Sequence, residues 1–192
     1  MTCIVAAVEN DGTIYMGGDT AGVTPSYGMI SQVEPKVFQR GEYVMGYTSS
    51  FRMGQILEHK FNPPPIPVHL ETSLTCFMVN NFVDALRACF KEAGWSQIKD
   101  NREEGGTFLV GCRRTVFIIE EEFNVLRMTG DISAVGCGGD FALGALHATE
   151  GQNAYDRVLI ALEAAQRLSA GVRAPFHIIT SKGERFDIEK GR

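Results

Sequence analysis

The first residue of this chain whose type and position could do chemistry is Thr2, directly behind Met1. If methionine aminopeptidase removes Met1, as a small second residue permits, Thr2 carries a free α-amine beside its own hydroxyl. That pair is a complete nucleophile-and-base unit. An α-amine with an ordinary pKa near 7.7–8.0 is neutral enough at physiological pH to accept the hydroxyl proton. A Met-Thr start also arises by chance, so Thr2 alone carries little weight. The other reactive residue types form no constellation. Cys3, Cys76, Cys89, Cys112 and Cys137 are odd in number, lie mostly in apolar segments and show no CxxC or metal-ligand spacing, which reads as reduced thiols. His59, His69, His147 and His177 are scattered, and a structural or surface role is expected for each. The stretch GCGGDFALG invites a phosphate-cradling reading, but Phe141 occupies the third glycine position of a GxGxxG fingerprint and no early βαβ unit surrounds it. No cofactor and no metal is expected.

The elements that must position Thr2 begin at once. Residues 3–8 alternate and then break at Asn10-Asp11-Gly12, unlike the longer apolar run of a signal peptide, so the segment reads as mature sequence. With 13–18 it makes a β-hairpin turning at Asp-Gly. Strand-like runs follow at 27–33, 36–40 and 43–48. Ser49-Ser50 precede a helical pattern over 51–61, ended by Pro63-Pro64-Pro65, and a longer helix spans 72–93 up to Gly94. After Gly105-Gly106 comes a meander: TFLVGC, a turn at Arg113-Arg114, TVFII, an acidic corner at 120–122, then NVLRM. The strand ISAVGC leads into Gly138-Gly139 and a small-residue helix, DFALGALHA, followed by a helix over 153–170 and closing strands FHIITS and RFDIE. Two mainly antiparallel sheets, each with one apolar face for the other and one for helices, satisfy this order. The expected fold is α+β, a four-layer αββα sandwich forming a single domain over 1–192.

Composition agrees. Hydrophobic residues make up 44% and charged residues 21% of the 192, with no apolar stretch of membrane-spanning length. With no such stretch a membrane is not expected as a partner, and a net charge of −5 offers no broad attraction for phosphate backbones, so nucleic acid is not expected either.

Four anchors in order, TxIVAxxxxDGxxxxGGD, PKVFQ, VMGYTSS and AVGCGGDFALGALHA, resemble the proteasome β-type peptidases of the N-terminal nucleophile hydrolases, among them the bacterial HslV peptidases. The likeness runs from Thr2 to about residue 180, with the central helices matching in pattern. It implies that Thr2 is the catalytic threonine, that Asp19 is the family's acid and that Lys36 is its lysine. An ammonium beside the α-amine would favour the neutral amine, and a carboxylate would hold that ammonium charged and oriented. It further implies an oxyanion donor at the backbone N–H of Ser49, where serine replaces the family's glycine. Cys137, between Gly136 and Gly138, stands where the family has a serine that contacts the threonine amine. A thiol is a weaker hydrogen-bonding group. Near AAQRLSAGVRAP the family carries an acid before Ser-Gly, whereas this chain has Gln166, Arg167 and a supporting Ser169.

The implied activity is threonine-type hydrolysis of polypeptides in a cytoplasmic, self-compartmentalising protease. A homo-oligomeric ring, hexameric or larger, is expected, with Phe- and Met-rich contacts from 51–61 and 72–93. A separate ATP-dependent unfoldase would feed it, because no P-loop occurs in the chain. The alternatives are a catalytically inactive ring-forming homologue and an amidase of the same nucleophile class acting on small amides.

Overall fold

Strand pairing in the computed structural model, which describes residues 1–23 and 28–189, begins one residue after Thr2. Strands β1 (Cys3–Val8) and β2 (Ile14–Asp19) form the expected hairpin. With β12 (Ile132–Gly136), β13 (Phe176–Thr180) and β14 (Arg185–Ile188) they make an antiparallel sheet ordered β12-β1-β2-β13-β14. A second antiparallel sheet is ordered β11-β10-β9-β6-β5. It contains β5 (Val37–Arg40), β6 (Tyr43–Tyr47), β9 (Phe108–Cys112), β10 (Thr115–Ile119) and β11 (Val125–Leu126).

Because successive side chains of a strand point to opposite faces, β1 feeds two cores at once. Cys3, Val5 and Ala7 face helices α4 (Gly139–Ala148) and α5 (Ala154–Leu168), whose Leu146, Val158 and Leu162 are fully buried against them. Ile4 and Ala6 face the other sheet and meet Met16, Val44 and Leu109. On the far side of that second sheet, Met45, Val110 and Phe117 pack under α1 (Phe51–His59) and under α2 (Leu74–Phe77) and α3 (Val83–Glu92). Three cores separate four layers, and the arrangement is the αββα sandwich.

Several local expectations are refined. The 72–93 helix starts at its Ser73 cap but passes through a π-helical stretch, Met78–Phe82, between α2 and α3. The run NVLRM yields only a two-residue strand. The run at 27–33 appears as β4 (Met29–Ser31), paired with β3 (Ala21–Val23), and its first position, 27, lies outside the described residues. A hairpin of β7 (Gln97–Lys99) and β8 (Arg102–Glu104) is new, since its residues are polar and show no apolar alternation. The Phe and Met residues of the two central helical segments do not form an outer contact face. Met53, Phe61, Phe77, Met78, Phe82 and Phe90 are all buried in the chain's own core, because the second sheet needs a complete apolar cover.

Candidate active site

Register alone brings three of the sequence-predicted residues together. In the β1–β2 pair Ile4 lies opposite Gly18, which puts the start of β1 beside Asp19 at the end of β2. In the β1–β12 pair Cys3 lies opposite Gly136, so the next step outward sets Thr2 against Cys137. Lys36 arrives from the other sheet, immediately before β5, where its carbonyl accepts from the Tyr47 N–H at the end of β6. The site is therefore a junction of strand ends from both sheets.

Lys36 is 1% exposed, Asp19 is 0% and Thr2 is 5%. The Lys36 Nζ donates to Asp19 Oδ1 at 3.1 Å, to Thr2 Oγ1 and to the Ala21 carbonyl oxygen. Its three hydrogens thus have three acceptors. Asp19 also accepts from Cys3 N at 3.0 Å and, through Oδ2, from Ala21 N at 3.0 Å. Burial pushes the Asp19 carboxyl above the ordinary carboxylate range, opposed chiefly by the Lys36 charge. Burial likewise holds the Lys36 ammonium below an ordinary lysine, opposed by Asp19. The Phe51 ring centroid lies 5.9 Å from Nζ.

The nitrogen side of Thr2 is built from the β12–α4 turn. Thr2 N donates to Cys137 Sγ at 3.3 Å, and Ser169 Oγ donates to the same sulfur at 3.3 Å. The Thr2 carbonyl oxygen accepts from Gly138 N at 3.4 Å. Gly136 sits at φ +95°, and a Cβ there would overlap the Thr2 carbonyl oxygen. Only glycine meets both conditions.

Ser49 adopts φ 59°, the left-handed conformation that its glycine counterpart would take freely. The serine hydroxyl accepts from Thr107 N at 3.1 Å and ties the turn to the start of β9. Among the described residues nothing accepts from the Ser49 N–H, so that donor is free to meet a developing oxyanion. Ser49 shares the wall of a cavity of about 300 Å³ with Thr2, Gly22, Tyr47 and Phe51. A second cavity of about 300 Å³, past Tyr47 and Phe51, adds Gln32, Glu34 and Glu58.

The position of the family's acid is filled differently. Gln166 Oε1 accepts from Ala174 N at 2.6 Å, while Arg167 is exposed. Sequence reasoning missed the Ala21 carbonyl, which no side-chain pattern can reveal, and the walls Tyr47 and Phe51, which looked like ordinary core. His59 is exposed and borders only the second cavity, and His177 pairs with Asp187 at 2.6 Å. Among the described residues no group of three or more His, Cys, Asp or Glu could hold a metal ion, and no helix is long and apolar enough to cross a membrane.

A helix-flanked pair of antiparallel sheets, with its first strand carrying Thr2 into the inter-sheet cleft, is the proteasome-β-like N-terminal nucleophile hydrolase fold, and the chain has that fold. Solved structures of this type superpose over nearly its whole length. BPH of Thiobacillus denitrificans, in complex with epoxomicin, is similar at TM-score 0.72 and 19% identity, covering 97% of this chain and 98% of that one. HslV of Trypanosoma brucei gives TM-score 0.65 and 18% identity over 93% and 98%. The ancestral β-subunit Anbu of Yersinia bercovieri gives 0.65 and 11% over 98% and 87%. No protein-family model and no curated protein matches the sequence.

Proposed function

We propose that the chain is an N-terminal threonine peptidase whose active form begins at Thr2. The observation that carries this reading is the Lys36 ammonium, buried and donating at once to Thr2 Oγ1 and Asp19. A lysine has little reason to be buried against a threonine hydroxyl unless that oxygen is used.

With Met1 attached, Thr2 N is an amide that donates to Cys137 Sγ and has no lone pair to act as base. Removal of Met1 converts it into an amine beside its own hydroxyl. The amine takes the hydroxyl proton as Oγ1 attacks a substrate carbonyl carbon, and Lys36 favours the neutral amine and stabilises the developing alkoxide. The Ser49 N–H donates to the oxyanion of the tetrahedral intermediate. Collapse expels the amine half with the proton, leaving an ester on Thr2, which water hydrolyses by the reverse sequence. Two adjoining cavities along Tyr47 and Phe51 suit an extended polypeptide better than a small amide.

Intact mass of the native protein together with turnover of fluorogenic peptides tests the reading. A mass lighter by one methionine residue, turnover by the wild type and none by Thr2→Ala are expected. Epoxomicin, the ligand of the Thiobacillus denitrificans structure, should add to the processed chain at Thr2. A chain that keeps Met1 and takes up no epoxomicin would instead be the non-catalytic ring homologue.

A further inference from the structure

Arg173 lies in the loop after α5 and turns back over the helix end. Its Nη1 donates to three backbone carbonyls, those of Gln166 at 3.2 Å, Ser169 at 3.0 Å and Val172 at 2.6 Å. One amino group has two hydrogens, so three acceptors around it must share them. The arrangement is a cage of carbonyl oxygens around a positive charge. One of the three acceptors, Gln166, lies in the last turn of α5, where carbonyls lack helical partners and carry the negative end of the dipole, which favours a cation. Arg173 has no carboxylate partner among the described residues, so the carbonyls provide the compensation for its charge.

The caged loop is also a wall of the candidate active site. Ser169 gives its carbonyl to the cage and its hydroxyl to Cys137 Sγ, the same sulfur that meets Thr2 N. Gly171, between two cage residues, runs so close that a Cβ on it would lie 2.9 Å from Cys137 Sγ and would overlap the Met1 Cβ. At its far end the loop is braced by Gln166 Oε1, which accepts from Ala174 N. Whatever holds residues 169–173 in place therefore sets the surroundings of the Thr2 nitrogen.

We propose that Arg173 is a positioning residue acting as a built-in cation: its guanidinium locks the 169–173 loop from behind, presses Ser169 onto Cys137 and so places that thiol on the Thr2 nitrogen. The proposal rests on the function proposed above, in which that nitrogen becomes the base. A corollary follows from the cage itself. Truncating Arg173 leaves three carbonyl oxygens facing one another around an opening that an added guanidinium ion can fill.

The test compares wild type with Arg173→Ala on a fluorogenic peptide. Loss of about 10- to 10²-fold in kcat with KM within about twofold is expected, the signature of a misplaced reacting group rather than lost substrate binding. Millimolar guanidinium chloride should restore part of that loss and tetramethylammonium chloride at equal ionic strength should not. Independently of activity, hydrogen exchange over 169–174 and alkylation of Cys137 by iodoacetamide should both accelerate, while the amides of β9 and β10 keep their protection. Should Arg173→Ala lose protection throughout, Arg173→Met, which keeps the aliphatic stem, takes its place with the same expected rates. Wild-type kcat, exchange and alkylation in the folded variant would overturn the proposal. An inactive wild-type chain counts against the proposed function alone, and the exchange and alkylation rates then decide whether Arg173 holds the loop.

Discussion

Burying an ammonium and a carboxylate together is tolerated only when the remaining donors and acceptors are satisfied, and the Lys36–Asp19 pair meets that condition through Thr2, Cys3 and Ala21. Removing one partner leaves the other charge uncompensated. Lys36→Ala should therefore lower the free energy of unfolding by about 3–5 kcal/mol, read by denaturant titration, and reduce kcat/KM by about 10²-fold or more in the fraction that remains folded. Its pH profile carries a further sign. A cation beside the Thr2 amine favours the neutral form and lowers that amine's pKa, and activity rises as pH rises through it. Loss of Lys36 should move this acid limb to higher pH, and an unmoved limb would assign Lys36 a structural role only. On the alkaline side, burial holds Lys36 below an ordinary lysine, so the wild-type rate should begin to fall before a free lysine would titrate. Thr2→Ser keeps both hydroxyl and amine and should retain turnover that Thr2→Ala lacks.

At the scale of elements the site is a consequence of strand ends. β2, β6 and β12 all terminate, and β1 and β5 begin, around the same cavity. Gly136 closes β12 in a left-handed conformation against the Thr2 carbonyl, whereas Gly94, also left-handed at φ +68°, has nothing within 4 Å of a would-be Cβ. The two glycines separate conformational strain from steric displacement. Gly94→Ala should destabilise by about 1–2 kcal/mol and leave peptide turnover intact. Gly136→Ala carries the same strain and in addition pushes Thr2 out of line, with a loss of about 10²-fold in kcat expected. Equal effects of the two substitutions on turnover would remove Gly136 from the positioning of Thr2.

For the whole molecule, the apolar surface left uncovered has moved from where the helices suggested. Met29, Ile30 and Val33, the last 86% exposed, cluster on and just after β4, beside the site, and Val79 and Ile98 line an outer groove. A two-stranded hairpin with its apolar side chains in water is marginal by itself. We propose that a neighbouring copy covers it in a homo-oligomeric ring, hexameric or larger, fed by a separate ATP-dependent unfoldase. Sedimentation equilibrium of untagged protein should give that assembly, and Met29→Asp with Ile30→Asp should shift it toward monomer without unfolding the chain. A monomeric wild type at micromolar concentration would defeat the ring and leave the fold untouched.

What the amino-acid order determines by itself is local and periodic. Alternation in β1 and β2 dictates two-faced strands, three- and four-residue spacing dictates helices with one apolar stripe, and Asp-Gly and Gly-Gly set turns. From these the four layers follow, because each strand face needs a cover. The pairing of Thr2 with Asp19 and Lys36 was legible only by resemblance, since the three are far apart in the chain and each is unremarkable in its own segment. Tertiary structure alone decided that Lys36 is buried with three acceptors, that Ser49 bears a left-handed backbone held by its own hydroxyl, and that Gln166 and Arg173 brace the loop where an acid was expected. Each depends on backbone carbonyls and amides whose positions are set by strand register and helix ends, and a backbone group looks the same in sequence whichever residue carries it.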